Sequence, residues 1–322
     1  MIRNKNIYIM LVIGILVFFE ITTFAFAEEG GIGIYNPGRY DLQSGVLPKK
    51  GFYFKKSWDF YYGKIDKVIN GGVLLEETEI NIRFKQNEIT YVTNKNIFGG
   101  DYALMLVFGT ISSEISSESV LDKEAILLLD DKEDTECSIG DILFSPVVIG
   151  WHSDNLHYLI NLPFYIPIGD FETADLKHHD FANIGRNRWA FDPTFAIMRE
   201  NPDKTYNISA ALGYILNFDE NEETKYKSGD ALHLDAAIAR NLRNGLTIGA
   251  CGYAYKQITG DSGDGAFLGD FKGRIFGAGP ILGYNGKLFK KDVNIMGKWY
   301  HEFGGENHFK GDSFLIYFSI KF

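Results

Sequence analysis

The chain has 322 residues, a formal net charge of -10, 15% aromatic residues, 35 glycines and only 8 prolines. An acidic chain excludes a surface that tracks phosphates, so nucleic acid is not an expected partner. Abundant aromatics and glycine suit many strands joined by tight turns, and exclude both a disordered chain and a helical bundle.

The chain opens with Arg3 and Lys5, an apolar run from Ile7 to Phe19, and small residues at Ala25-Phe26-Ala27. This layout predicts a secretory signal peptide over residues 1–27, cleaved after Ala27. The run is shorter than the roughly 20 apolar residues that span a bilayer as a helix. Residues 28–50 follow, rich in glycine and carrying Pro37 and Pro48. They are expected to form either a loose leader or a partial plug, and both readings stay open.

From residue 51 to 322 the dominant signal is alternation with period two, the signature of strands with two unlike faces. Leu156, Tyr158, Ile160, Leu162, Phe164 and Ile166 alternate with His157, Asn161 and Tyr165. Trp189, Phe191, Phe195 and Ile197 stand against Arg188, Asp192, Thr194 and Ala196. The clearest strand runs from Tyr206 to Asn217. Leu232, Leu234, Ala236 and Ile238 then alternate with His233 and Asp235. Phe271, Ile275 and Ile281 alternate with Lys272 and Arg274, and Val293, Ile295 and Trp299 with Asp292, Asn294, Lys298 and Glu302. Strand-like segments at 52–63, 73–84, 101–110, 142–151 and 246–255 have ambiguous facing.

The final strand is the most telling. Phe314, Ile316, Phe318, Ile320 and Phe322 make one wholly apolar face, while Leu315, Tyr317, Ser319 and Lys321 make a mixed one. In a transmembrane barrel the first face meets lipid and the second the lumen. Connections support this. Short turns are expected at 152–155, 201–204, 241–245 and 285–287, and longer polar ones at 112–139, 169–187, 218–225, 258–269 and 304–310. Short turns at one rim and long loops at the other mark an outer-membrane barrel, and an even strand count puts both ends of the wall at the short-turn, periplasmic rim. The expected fold is therefore all-β: an antiparallel transmembrane β-barrel of about twelve strands over residues 51–322. The Ser/Glu/Asp-rich stretch from Ser112 to Glu136 is expected as a mobile outer loop, with a short extra hairpin as the alternative.

By parity the candidate lumen residues are His157, Arg188, Asp192, His233, Asp235, Lys272, Arg274, Lys298 and Glu302. Their mixed signs suit ion pairs that organise the interior and shape a solute path, or that simply fill it. Other motifs carry less. Gly260-Asp-Ser-Gly263 has the look of a serine-nucleophile string, but no signature supplies the histidine and orienting acid. A lipid-hydrolysing barrel needs an outward Ser/His pair on neighbouring strands, and His301 lacks one because Ser313 has inward parity. No enzyme activity and no cofactor is expected. His178-His179-Asp180 reads as a solvated loop rather than a metal site, and Cys137 and Cys251 as unpaired thiols.

Several strings together resemble a known family. They are Gly140-Asp-Ile-Leu-Phe-Ser-Pro146, Gly150-Trp-His152, Pro167-Ile-Gly-Asp170, Tyr226-Lys-Ser-Gly-Asp230 with Leu232-His233, Gly252-Tyr-Ala-Tyr-Lys-Gln257, and Gly269-Asp-Phe-Lys-Gly273 with Gly279-Pro280. From about Leu47 to Phe322 the chain resembles the outer-membrane proteins of the putative MetA-pathway of phenol degradation family. The resemblance implies a bacterial outer-membrane barrel that passes aromatic or other small hydrophobic compounds. It also implies contact with outer-membrane lipid, and with the barrel-assembly machinery through the last strand ending in Phe322. The alternative is a closed barrel with a structural or surface-binding role.

Overall fold

The computed structural model describes residues 28–121, 129–174, 182–288 and 291–322. The predicted signal peptide (1–27) and His178-His179-Asp180 lie outside the described residues.

The wall begins with β1 (Gly51–Asn70), β2 (Val73–Ile97), β3 (Gly100–Leu121), β4 (Leu129–Ile139) and β5 (Ile142–Ser153). It continues with β6 (Leu156–Asn161), β7 (Phe164–Ile166), β8 (Ala190–Phe191), β9 (Thr194–Glu200) and β10 (Tyr206–Asn217). It ends with β11 (Ala231–Asn241), β12 (Leu246–Gln257), β13 (Arg274–Leu288), β14 (Lys291–Glu306) and β15 (Lys310–Lys321). Every pairing is antiparallel. The sheet closes where β1 meets β15, from Tyr53 opposite Lys321 to Lys64 opposite Lys310. Among the described residues closure leaves no open edge except that of β4, which pairs with β3 alone, and a closed ring is the condition for a sheet to cross lipid.

Fifteen segments make twelve wall strands, because two strands are interrupted by proline and β4 pairs with β3 alone. Pro163 separates β6 from β7, and Pro193 separates β8 from β9 on the adjacent strand. Proline has no N–H to offer a ladder. The neighbouring amides adapt: Leu162 N donates to Val147 O at 3.0 Å and Asp192 N to Pro163 O at 3.0 Å.

Facing follows the alternation on β10, β11, β14 and β15. Phe195, Ile208, Leu212, Ile238, Trp299, Phe303, Phe314 and Ile316 stand exposed on the outer surface, while His233, Asp235, Lys298 and Glu302 are buried inside. On β13 the expected facing is inverted. Ile275 and Ile281 are fully buried in the interior, and Leu282 is exposed outside. Lys272 consequently lies exposed before the strand, and Arg274 pairs with Glu306 at the rim; neither lines the interior. The physical reason is that the interior here is a packed core, which accepts isoleucine as readily as lipid does.

Two further expectations change. The described residues of the stretch 112–136 form the hairpin given as the alternative rather than a mobile loop: β3 continues to Leu121 and pairs with β4 from Thr110 opposite Ile139 to Val120 opposite Leu129. Inward Ile115 and Val120 are buried with Ala182, Phe309 and residues of β1 and β2 such as Val68 and Leu75, so the hairpin shares a core with the upper part of those strands. The turn expected at 285–287 is strand, since Asn285 pairs with Asn294 and Leu288 with Lys291.

The rim carrying Gly51 and Phe322 bears short turns at 98–99, 154–155, 201–205 and 242–245, and the opposite rim bears the connections 167–189, 218–230 and 258–273. That opposite rim also has two short connections, 71–72 and 307–309, reached by the long strands β1, β2 and β14.

Candidate functional site: the occupied lumen

Residues 28–50 run inside the barrel from the long-loop rim to the short-turn rim. At the upper end Gly30 N donates to Ile69 O at 2.7 Å, and Phe309 N donates to Gly31 O at 3.2 Å. At the lower end Leu47 packs on Gly150, and Lys49 O accepts from Tyr53 before β1 begins. Tyr35, Leu42 and Leu47 belong to the same buried cluster as Ala103, Tyr165, Ile215, Tyr253 and Tyr300 of the wall.

Wall side chains grip the middle of this segment through polar contacts. The Tyr35 hydroxyl donates to Asp235, and Gly38 N donates to the other oxygen of the same carboxylate at 2.8 Å. The Tyr35 ring stacks on His233 with centroids 3.7 Å apart. His233 Nε2 lies 2.8 Å from Asp192 Oδ1, and His233 Nδ1 lies 3.7 Å from Asp235. A Cβ at Gly213 would collide with both His233 and Asp192, so glycine on β10 makes room for this pair. His233, Asp192 and Asp235 are each 1% exposed. Charged groups in such burial need partners, and each has one.

A second grip lies beside it. Lys298 Nζ sits 2.8 Å from Asp41 Oδ2 and donates to Gly38 O at 2.6 Å, while Tyr317 donates to Asp41 Oδ1 at 3.2 Å. Gly38 has φ +80°, and a Cβ there would lie 2.7 Å from the Tyr300 ring. Both the left-handed backbone and the close approach require glycine. Further contacts tie Asn36 to Asp59 at 2.7 Å, Arg39 to Glu88 at 3.4 Å, and Gln43 N to Ser209 at 3.0 Å.

Between this segment and the wall formed by β1–β3, β5, β7, β12, β14 and β15 lies a cavity of about 130 Å³. Ile34, Ile80, Ile82, Val107, Tyr165 and Tyr253 supply much of its lining. Glu302 lies on its polar side, where it accepts from Tyr61 at 2.9 Å, from Tyr253, and from Gly311 N at 2.7 Å.

Of the lumen residues predicted from parity, His233, Asp235, Asp192, Lys298 and Glu302 gather around residues 35–41 and the cavity. Arg188 is buried higher, 3.6 Å from Glu28, with its Nε donating to Asn217 at 3.1 Å. His157 faces inward at the short-turn rim, 3.0 Å from His152 and 3.8 Å from Glu200, apart from the central group. The partners these residues meet on the N-terminal segment, Glu28, Tyr35, Gly38 and Asp41, were not expected: a stretch without periodicity carries no signal of its path. Among the described residues no group of three His, Cys, Asp or Glu side chains is placed to hold a metal ion. Both cysteines are free thiols, Cys137 exposed and Cys251 buried. His301 faces outward, 3.1 Å from Asp312, whereas Ser313 points inward and donates to Asp59 at 3.0 Å.

The outer-membrane channel from Pseudomonas putida designated COG4313 shares this fold, with 13% identity and a TM-score of 0.58 over 89% of this chain and all of that one. The translocator domain of the autotransporter NalP from Neisseria meningitidis aligns at 12% identity and a TM-score of 0.47, over 87% of this chain and 91% of that one. No curated protein matches the sequence. Residues 67–318 match the family model described as the putative MetA-pathway of phenol degradation, and the chain belongs to that family.

Proposed function

We propose that the protein resides in the bacterial outer membrane and passes small hydrophobic or aromatic compounds, with the N-terminal segment setting what the lumen admits. The observation that carries this reading is the cavity of about 130 Å³ between segment and wall. An apolar protein cavity of about 150 Å³ holds benzene, so this volume suits a single aromatic ring. Its lining mixes apolar side chains such as Ile34, Ile80, Ile82 and Val107 with polar and charged ones such as Arg39, Asp59, Arg186 and Glu302, and small-molecule sites combine the two kinds. Tyr61, Tyr253 and Glu302 there would meet a ring hydroxyl. The same segment fills the middle of the lumen, which suits a small apolar solute better than bulk flow of water and ions. Family membership supplies the phenol-degradation setting.

The test is uptake of labelled toluene and phenol by porin-deficient cells producing the wild type or Val107→Trp, a substitution that fills the cavity. The reading predicts faster uptake with wild type and loss of the gain with the variant, at equal amounts of folded barrel. Equal uptake by both would refute it.

A further inference from the structure

Glu28 and Glu29 are each 3% exposed, although they are acidic residues at the long-loop end of the N-terminal segment. What holds them is a built site centred on Asp261, itself 4% exposed. One oxygen of that carboxylate accepts from Gly229 N at 2.9 Å and from Gln257 Nε2 at 2.5 Å. The other accepts from the Tyr226 hydroxyl and, at 2.9 Å, from the backbone nitrogen of Glu28. Glu29 N donates to Ser228 at 3.4 Å, and the Glu28 carboxylate takes the Tyr255 hydroxyl and faces Arg188.

The charges of this cluster do not balance. Glu28, Glu29, Asp261 and Asp141 bring four carboxylates, whose pKa values burial raises, and the two guanidiniums Arg186 and Arg188 act on Glu28, Glu29 and Asp141. Asp141 accepts the backbone amides of Gly169 and Arg186, at 2.9 Å each, with Arg186 and Arg188 acting on it by charge. Glu28 Oε2 meets Arg188 Nη2 only at 3.6 Å, longer than a hydrogen bond, and Glu29 Oε1 makes no hydrogen bond within 3.5 Å among the described residues. Buried carboxylates in excess of cations call for one more positive charge with N–H groups to spare.

We propose that this cation is the α-ammonium created on Glu28 when the peptide bond after Ala27 is hydrolysed. Water adds across that bond, Ala27 leaves with a carboxylate, and the Glu28 nitrogen gains protons to become an ammonium. The nitrogen that now donates one hydrogen to Asp261 then donates as a full charge, and charge-assisted hydrogen bonds are roughly twice as strong as neutral ones. Its two added hydrogens are further donors in a cluster where carboxylates outnumber guanidiniums. Removal of the leader thus completes the anchor that holds the N-terminal segment at the long-loop rim. A chain that keeps even one extra residue presents a neutral amide to Asp261. The inference rests on the reading of residues 1–27 as a cleaved leader.

The test uses protein purified from the outer membrane. Intact mass defines its first residue, and the rate of N-terminal acetylation by an activated ester at pH 7 is compared with that of an exposed lysine such as Lys287. The comparison covers wild type, Asp261→Asn, and a variant with one alanine inserted before Glu28 that remains after cleavage. The expected result is a chain starting at Glu28 whose amine reacts at least tenfold more slowly than in either variant. A start at any other residue would overturn both the cleavage position and the anchor. A Glu28 start with equal acetylation in wild type and the alanine-extended variant would overturn the anchor alone. The extended variant keeps Asp261 and its other three donors, so the comparison survives if Asp261→Asn fails to fold.

Discussion

Replacing Lys298 with methionine tests how the N-terminal segment is held. Methionine keeps the length and apolar stem of lysine and removes only the charge, which leaves the Asp41 carboxylate buried, with Tyr317 as its remaining partner at 3.2 Å. Breaking one side of a buried ion pair costs about 3–5 kcal/mol, because the other charge stays desolvated without compensation. The donation from Lys298 to Gly38 O at 2.6 Å is lost as well. The wall does not depend on this pair, since its strands are held by a closed ladder. The cost therefore falls on the attachment of residues 36–42. A loss of about 3 kcal/mol raises the population of a detached segment roughly a hundredfold. Trypsin reads this directly at Arg39, which is partly buried against Glu88 in the attached state. The expected outcome is cleavage after Arg39 at least tenfold faster in Lys298→Met than in wild type, with the barrel still resistant to heat in detergent. Adding Asp41→Leu should restore most of the protection, because it removes the stranded charge. Equal cleavage of Lys298→Met and wild type would refute the claim that this pair anchors the segment.

Three other outcomes follow from the same geometry. Gly38→Val places a branched side chain at φ +80° and against the Tyr300 ring, so it should loosen the segment by about 1–3 kcal/mol and raise tryptic cleavage at Arg39, whereas Gly33→Ala with Tyr255 kept as the neighbour has no such backbone conflict and should do less. His308 is buried, and burial holds its pKa down at about 4 against an ordinary 6.5, with its Nδ1 hydrogen donated to Phe309 O. The unfolded chain binds this proton between those two values and the folded one does not, so stability is full above about pH 6.5 and falls toward pH 4, by at most about 3 kcal/mol. Urea unfolding of wild type and His308→Gln at pH 7 and pH 4.5 should show the smaller acid loss in the variant; equal losses would refute the assignment. A bulky maleimide should label one thiol per folded chain, at Cys137 and not at Cys251, as read by peptide mass.

The legible part of the fold was the wall where its two faces differ in chemistry. On β10, β11, β14 and β15 the outer face is mostly apolar and the inner face carries polar groups, such as Asn207 and Ser209 on β10, His233 and Asp235 on β11, Lys298 and Glu302 on β14 and Ser313 on β15, so parity alone gives the facing. The same rule failed on β13, because Ile275 and Ile281 pack inside with Tyr253, Met296 and Tyr300. A lumen filled by protein is chemically a core, and polarity no longer marks its side of the strand. The hairpin of β3 and β4 was obscured by serine and acidic residues on solvated strands, with Ile115 and Val120 as its few apolar marks. The placement of residues 28–50 was legible only as one of two open readings, a loose leader or a partial plug, and the contacts of this segment were not legible at all. Its contacts pair Tyr35 with Asp235 and Glu28 with Asp261, some two hundred residues apart, and no local pattern encodes a partner at that distance.

The central claim is that residues 28–50 fill the lumen and restrict what passes through it. Single-channel conductance in planar bilayers tests this most directly, comparing the wild type with a chain lacking residues 30–48. The account predicts a small or silent conductance for the wild type and a large, steady one for the deletion, with both barrels equally folded. An equally large conductance in the two proteins would contradict it.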